Sequence, residues 1–575
     1  MPKVNASKAI LEMLKGYDVS HVFGLPGETT LNLYREWHDY PEIRHVLARD
    51  ERSSVFMADG YAKLSYRPGI CEGPSVGATH MLPGIAEACK ASVPMIALTS
   101  DIPLHLERRN MLTGIDQTAL FKGVTKETTT ITDPSEIPHA IRRAFRLATT
   151  GRPGPVHIRL PMDALGAEIE APDLHIQRDF ARYPGHRPTA QEDRIHEAVR
   201  LLGRAERPVI ICGQGVLWSQ AWDEVQTLAE LYDIPVGTTI SAKGSIPEVH
   251  PLSIGVTGAR GGTEISNRVV SEADVILYIG CSTDSASTDK WTIPPPDTKA
   301  KIIQLDISEA EIGNTYPTQV AMIGDARATL RRMIEISSPR AGGVDEPPRI
   351  AAIRREEREY MEYIDEVSRS DETPIHPLRF IKELEANAPD DHVVVADVGV
   401  SAIYTSTYYR TTRGGRSVLF NYAMGALGYA IPASVGARLA RPESCIVTLV
   451  GDGSFGFTAA ELETVSRVGG NNNIVLYDNG SYGWIRAAVS FSHGAEYSDF
   501  ATKFKPIDYT KIADGFGLAT YTADDPDELG ATLREALATD EPTFTLLRVQ
   551  PEDRLVPPVP SWTKKARELG LRHVR

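Results

Sequence analysis

The stretch LVGDGSFGF, residues 449–457, closes an apolar run, IVTLV, with one carboxylate between two glycines, Gly451-Asp452-Gly453. A continuous, partly β-branched apolar run reads as a central strand of a parallel sheet. In such sheets ligands collect beyond the carboxyl ends of the strands. Asp452 is therefore expected at the mouth of a sheet, where Gly451 and Gly453 let backbone come close to a ligand. Thr458-Ala-Ala-Glu461 follows with the spacing of a capping box, and Ala459, Leu462, Val465 and Val468 then form a helical apolar stripe. Strand, glycine turn and helix start together make a phosphate cradle beside a metal-binding carboxylate.

A second oxygen source lies in NNNIVLYDNGSYGWI, where IVLY reads as a strand and Asp478-Asn479-Gly480-Ser481-Tyr482-Gly483 as the loop after it. Mg2+ asks for octahedral oxygen ligation from carboxylates, carbonyls, water and phosphate. Asp452, the Asn479 amide and the Ser481 backbone carbonyl fit that demand, with places left for diphosphate oxygens and water. Either motif alone is an ordinary turn. Both at strand ends, with 24 residues between Gly453 and Asp478, point to a metal–diphosphate site.

The elements that must carry these loops are short apolar strands alternating with amphipathic helices, the pattern of α/β layers with parallel sheets. The pattern recurs three times, predicting three doubly wound parallel-sheet domains at about 1–170, 190–340 and 372–552. The first holds HVFGL, IRHVLA, GICEG, PMIALTS and PGPVHIRLP. The second holds PVIICG, IPVGTT, ADVILYIG and AKIIQLD. The third holds DHVVVADVG, CIVTLVGDG, NNIVLYDNG and TFTLLRV. Residues 169–190 and 337–349 read as links, and IRREEREYMEYIDEV, 353–367, as a solvated charged helix.

Composition narrows the class. The 575 residues are 42% hydrophobic and 24% charged, as in ordinary globular proteins, and exceed one domain. A net charge of -15 argues against nucleic-acid binding. Five scattered cysteines without a CxxC pair read as buried free thiols in a reducing compartment. No run has the length of a membrane span and the N-terminus shows no signal-peptide core, so a cytoplasmic protein is expected.

At GDG and the Asn-ending pair the sequence resembles the thiamine-diphosphate (ThDP) enzymes, most closely their acetolactate synthase and pyruvate oxidase group. The resemblance spans almost the whole chain. The family pair is usually Asn-Asn; here it is Asp478-Asn479, with the ligating second member kept. The resemblance implies a pyrimidine-binding, a middle and a diphosphate-binding domain. It also implies a cofactor held between the first domain of one subunit and the third of another, hence a homodimer or homotetramer. In HVLARDERSSVFMADGYAK it makes Glu51 the carboxyl group that serves pyrimidine N1′; a shielded Glu with a raised pKa suits proton relay. In FNYAMGALGYAIPA, 420–433, the Gly425 carbonyl would take the 4′-amino proton, and Leu427 would give its amide to N3′ and wedge its side chain beneath the rings. Asp397-Val-Gly399-Val-Ser401-Ala402 resembles the first diphosphate loop, and Gly451, Gly453, Ser454 and Gly483 complete the cofactor-binding set.

The implied reaction is decarboxylation of a 2-oxo acid and transfer of the enamine to a second carbonyl compound; plain decarboxylation or a lyase reaction is the alternative. A non-catalytic cofactor-binding protein would lack Glu51, and a flavin or nicotinamide oxidoreductase would rely on the middle domain. The chain departs from its relatives where substrate is met: GPSVGATH, 73–80, is one residue short, and Thr113 stands where relatives carry Gln. His80, His105 and His493 are acid–base candidates for which a structural or surface role is preferred. TTISAKGSIPEVHPLSIG and GARGG resemble the flavin-carrying members, whereas CSTDSASTDKW, 281–291, does not and ICGQG is half a dinucleotide fingerprint. FAD is thus left open beside ThDP and Mg2+.

Overall fold

The chain's computed structural model describes residues 3–338 and 347–571; most of the second expected link, 339–346, lies outside the described residues. Three six-stranded parallel sheets form, each flanked by helices. The first has the lateral order Arg44–Leu47, His21–Gly24, Gly69–Gly73, Met95–Asp101, Pro155–Pro161, Glu127–Thr130. The second runs Ser253–Val256, Val236–Thr238, Pro208–Cys212, Val275–Ile279, Lys301–Asp306, Thr318–Ile323. The third runs Val418–Phe420, His392–Ala396, Cys445–Gly451, Asn472–Asp478, Thr543–Arg548, Ala519–Ala523. Each central strand is an apolar run covered on both faces by helices, as a parallel sheet requires.

Besides Lys3–Asn5 and Glu168–Glu170, which pair as a separate antiparallel ribbon, the strands that pattern reading did not find are Glu127–Thr130, Ser253–Val256, Thr318–Ile323, Val418–Phe420 and Ala519–Ala523, and each of these five is an edge of its six-stranded sheet. The charged segment 353–367 does form a helix, Pro348–Val367, but it is not simply solvated. Its Ile350 and Ile353 are buried in the core of the middle sheet. The five cysteines are all free, four of them buried.

The backbone groups into two compact units. One takes the residues up to His186 together with Asn421–Ile446 and Phe457–Asn472; the other takes Arg187–Phe420, Val447–Gly456 and the residues from Asn473 on. In the first unit the core gathers Ile10, Leu14, Ile96, Ile158 and the stacked rings of Tyr17 and Phe145, whose centroids are 3.8 Å apart. The helix Glu51–Ser65 crosses the helix Ala430–Ala440 at two glycines. A Cβ on Gly60 would lie 2.2 Å from the Ala433 carbonyl oxygen, and one on Gly436 would lie 1.9 Å from that of Met57. Beside the crossing, Lys63 Nζ is 2.6 Å from Asp59 and 3.1 Å from the Tyr429 hydroxyl, which itself donates to Asp59 at 2.7 Å.

In the second unit the Trp484 ring lies 4.4 Å from that of Trp562 on the helix Pro560–Glu568. The Arg260 guanidinium stands 4.8 Å from the Trp484 ring.

The glycine crossing generates a stability test. Gly436→Ala is expected to force the two helices apart and to cost about 1–3 kcal/mol, as overpacking of a filled core does. Thermal denaturation reads this directly; an unchanged midpoint would mean that the crossing yields freely.

Candidate functional site

The strand Cys445–Gly451 passes straight into a helix at Asp452, the helix Asp452–Thr458. Here the expected capping box does not form. Thr458 makes no cap hydrogen bond, because the chain continues through the short turn Ala459–Glu461 into Leu462–Val468. Glu461 instead accepts from the Arg49 amide and the Thr464 hydroxyl, and is buried.

Asp452 is buried, and its oxygens accept from the Gly453 amide at 2.8 Å and the Ser481 amide at 3.1 Å. Loss of water pushes its carboxyl up to about 7, with Asp478 adding to the rise and the amides opposing it. Asp478 is raised as well, again mainly by desolvation. Asn479 donates to Glu552 at 3.1 Å, while its carbonyl oxygen accepts from the Ser481 hydroxyl at 3.0 Å. Burial and the Asp452 charge push Glu552 up to about 8. The Ser481 carbonyl accepts from the Gly483 amide at 2.8 Å. Gly483 has no room for a side chain: a Cβ would come within 2.3 Å of both Asn479 and Glu552. On Gly453 a Cβ would meet the Tyr482 ring at 2.6 Å, while Gly451 has open space beside it. Ser454 is buried. This is an oxygen-rich cluster whose carboxylates repel one another, and a hard divalent cation fits it.

The loop after the strand His392–Ala396 turns at Gly399, whose φ of +111° suits glycine, into the helix Val400–Tyr408. Ser401 is buried and donates its hydroxyl to the Asp397 carbonyl at 2.8 Å. In the middle sheet the ICGQG turn is closed against the end of the neighbouring strand Val275–Ile279. The Gly213 amide donates to Ile279 at 2.9 Å and that of Gly215 to Gly280 at 3.0 Å.

In the other unit, Asp50 caps the helix that begins at Glu51, accepting from the Arg52 amide at 2.8 Å. Glu51 is buried, only 6% exposed. The start of the helix Gly77–Lys90 abuts its carboxyl so closely that a Cβ on Gly77 would stand 2.4 Å from Oε1. One turn on, His80 Nδ1 lies 3.1 Å from Glu51 Oε2. His80 itself is exposed, so the pairing lies at the surface edge of the buried Glu51 carboxyl. His105, beside Asp163 at 3.5 Å, and His493 are exposed as expected. Thr113 accepts from the Ser75 hydroxyl at 2.7 Å, which ties down the shortened 73–80 loop.

The loop 421–429 holds Gly425 at φ +73° and Gly428 at +85°. Leu427 is half-buried and Met424 exposed. Glu87 binds this loop through the amides of Ala423, Met424 and Gly425. Neither Glu87 nor Glu552 was found from sequence. Glu552 sits in a polar stretch without any pattern; Glu87 left one trace, an acid inside the apolar helix IAEAC.

Comparison with known proteins bears on the same regions. Residues 4–120 match the family model described as thiamine pyrophosphate enzyme, N-terminal TPP binding domain. Residues 195–333 match the central domain and 397–546 the C-terminal TPP binding domain of the same enzymes. A probable acetolactate synthase large subunit of Methanocaldococcus jannaschii is 34% identical, over 96% of this chain and 94% of its own length. An acetolactate synthase large subunit of Corynebacterium glutamicum is 30% identical, over 97% and 89%. The acetolactate synthase isozyme 1 large subunit of Escherichia coli is 29% identical, over 99% and 98%. With three thiamine-diphosphate domains in register with its three sheets and end-to-end likeness to these relatives, the chain belongs to the ThDP-dependent enzymes, in their acetolactate synthase group.

Proposed function

We propose that the chain is a ThDP- and Mg2+-dependent carboligase that decarboxylates a 2-oxo acid and joins what remains to a second carbonyl compound. The observation that carries this reading is Glu51, a buried carboxyl at a helix start, kept in a chain that is alike acetolactate synthases over its full length. Residues 1–170 serve as the pyrimidine-binding domain, 190–340 as the middle domain and 372–552 as the diphosphate-binding domain.

When bound, ThDP supplies the electron sink for the acyl carbon. The chain's own residues position it and handle protons. Glu51 holds and releases the proton at pyrimidine N1′. The Gly425 carbonyl would accept from the 4′-amino group, and Leu427 would offer its amide to N3′ and its side chain as a support for the rings. Asp452, the Asn479 amide oxygen and the Ser481 carbonyl hold Mg2+, and Gly399, Ser401, Gly451, Gly453, Ser454 and Gly483 leave room for the diphosphate. A mainly apolar surround favours loss of CO2, since charge disperses as it departs.

FAD has weaker support. The Gly213 and Gly215 amides, which would have to cradle a pyrophosphate, are engaged by the neighbouring strand end. A purified protein without flavin absorbance near the visible blue would agree. The assembly is a homodimer or homotetramer and its setting the cytoplasm, in keeping with five free cysteines. Among the described residues no helix is long and apolar enough to cross a membrane. Release of an aldehyde is the second reading, favoured by the His80 imidazole beside Glu51, which offers an extra proton donor.

Product analysis with a panel of 2-oxo acids, with and without an acceptor, separates the two readings. Glu51→Gln is expected to lower turnover by about 100-fold or more, the scale of general acid–base catalysis, with ThDP binding largely kept. Full turnover in that variant would remove the role.

The carboxylate cluster gives a second test. Because burial raises Asp452 to about 7, the folded state holds a proton there that the unfolded chain releases at a lower pH. The metal-free protein should therefore melt higher at pH 6 than at pH 8. Added Mg2+ should raise the midpoint more at pH 8, and Asp452→Asn should flatten both responses. Equal Mg2+ stabilisation in the variant would place the metal elsewhere.

A further inference from the structure

Glu87 does something that the roles above leave unassigned. It lies in the helix Gly77–Lys90 and is fully buried. Its Oε1 accepts from the Ala423 amide at 3.0 Å, and its Oε2 from the amides of Met424 at 2.8 Å and Gly425 at 3.1 Å. Three consecutive amides converging on one anion form a backbone nest, a concavity that binds negative charge. Gly425 takes φ +73° within this loop. Within it, the Asn421 side-chain amide donates to the Ala426 carbonyl at 2.5 Å. The carboxylate supplies the missing centre.

We propose that Glu87 is a positioning residue that shapes the Ala423–Gly425 loop so that the Gly425 carbonyl is presented to the aminopyrimidine of ThDP. This rests on the role given to Gly425 under the proposed function. Only the ionised carboxylate offers acceptors to all three amides without setting a proton against one of them. Burial pushes Glu87 up to about 7, with Lys63 opposing the rise and Asp59 adding to it. Tyr429 bridges that Asp–Lys pair. The elements packed on its helix further carry Glu51, Arg52, Cys71, Glu72, Asp101, His157 and Arg159. The nest is therefore filled by a carboxylate above pH 7 and loses its charge below.

The test measures ThDP affinity of the full chain by titration calorimetry at pH 8 and pH 6, in the presence of Mg2+, for wild type, Glu87→Gln and Glu87→Asp. Wild type should bind ThDP more weakly at pH 6. Glu87→Gln should bind about 10- to 100-fold more weakly at pH 8, the loss expected when hydrogen bonds to a charged group go, and its pH dependence should be reduced. With ThDP saturating, the KM for the 2-oxo acid should stay near that of wild type. Glu87→Asp, charged but shorter, should fall between the two and keep the pH dependence. Affinity within twofold of wild type in Glu87→Gln at both pH values overturns the proposal. If that variant does not fold, an affinity of wild type that does not change between pH 8 and pH 6 overturns it. A wild-type chain that binds no ThDP at all would instead defeat the proposed function itself.

Discussion

Taking carboxylates out of water is the constraint on which the functional parts of this protein depend. A buried acid is raised toward neutrality unless something compensates it, and the chain leaves several in that state. Asp452 and Glu552 sit at the mouth of the third sheet, pushed up to about 7 and about 8. Glu87, in the other unit, is pushed up to about 7. An ordinary core avoids such groups. Where a chain collects them at strand ends and helix starts, they mark a candidate functional site, since perturbed carboxyl groups cluster at such sites.

The fold's part is to make these burials affordable. Parallel strands bring their carboxyl ends to one edge of the sheet, so Gly451-Asp452 and Asp478-Asn479 come together although they are far apart in the chain. Glycines then set the distances. Gly77 lets a helix start lie against Glu51, and Gly483 lets a turn lie against Asn479 and Glu552. At neither position does a left-handed backbone require glycine; the requirement is space.

How much of this is legible in the sequence follows from where the information sits. Central strands are covered on both faces and so read as apolar runs; VVVA, IVTLV and NIVLY announce themselves. Edge strands such as Glu127–Thr130 and Ala519–Ala523 face partly outward and carry polar residues that look like loop. That the loops at Asp452 and Asn479 meet was legible because each motif is local and its spacing is fixed by one strand–helix–strand passage. His80 beside Glu51 was not, since nothing in the order of residues says which way a helix turns its second turn of side chains. Glu87 was hidden by distance, its three amide partners lying more than 330 positions away in the chain. The capping box failed for a related reason: Glu461 found a tertiary partner in the Arg49 amide that local pattern cannot weigh.

The paired indoles of Trp484 and Trp562 have a practical corollary. Trp484 belongs to the helix that begins at Gly483, directly after the loop holding Asn479 and Ser481. Two chromophores 4.4 Å apart share their excited states, and any tilt between them alters the near-ultraviolet dichroism and emission. The protein thus carries a built-in optical gauge one helix start away from the Asn479–Ser481 turn, one that needs neither dye nor label.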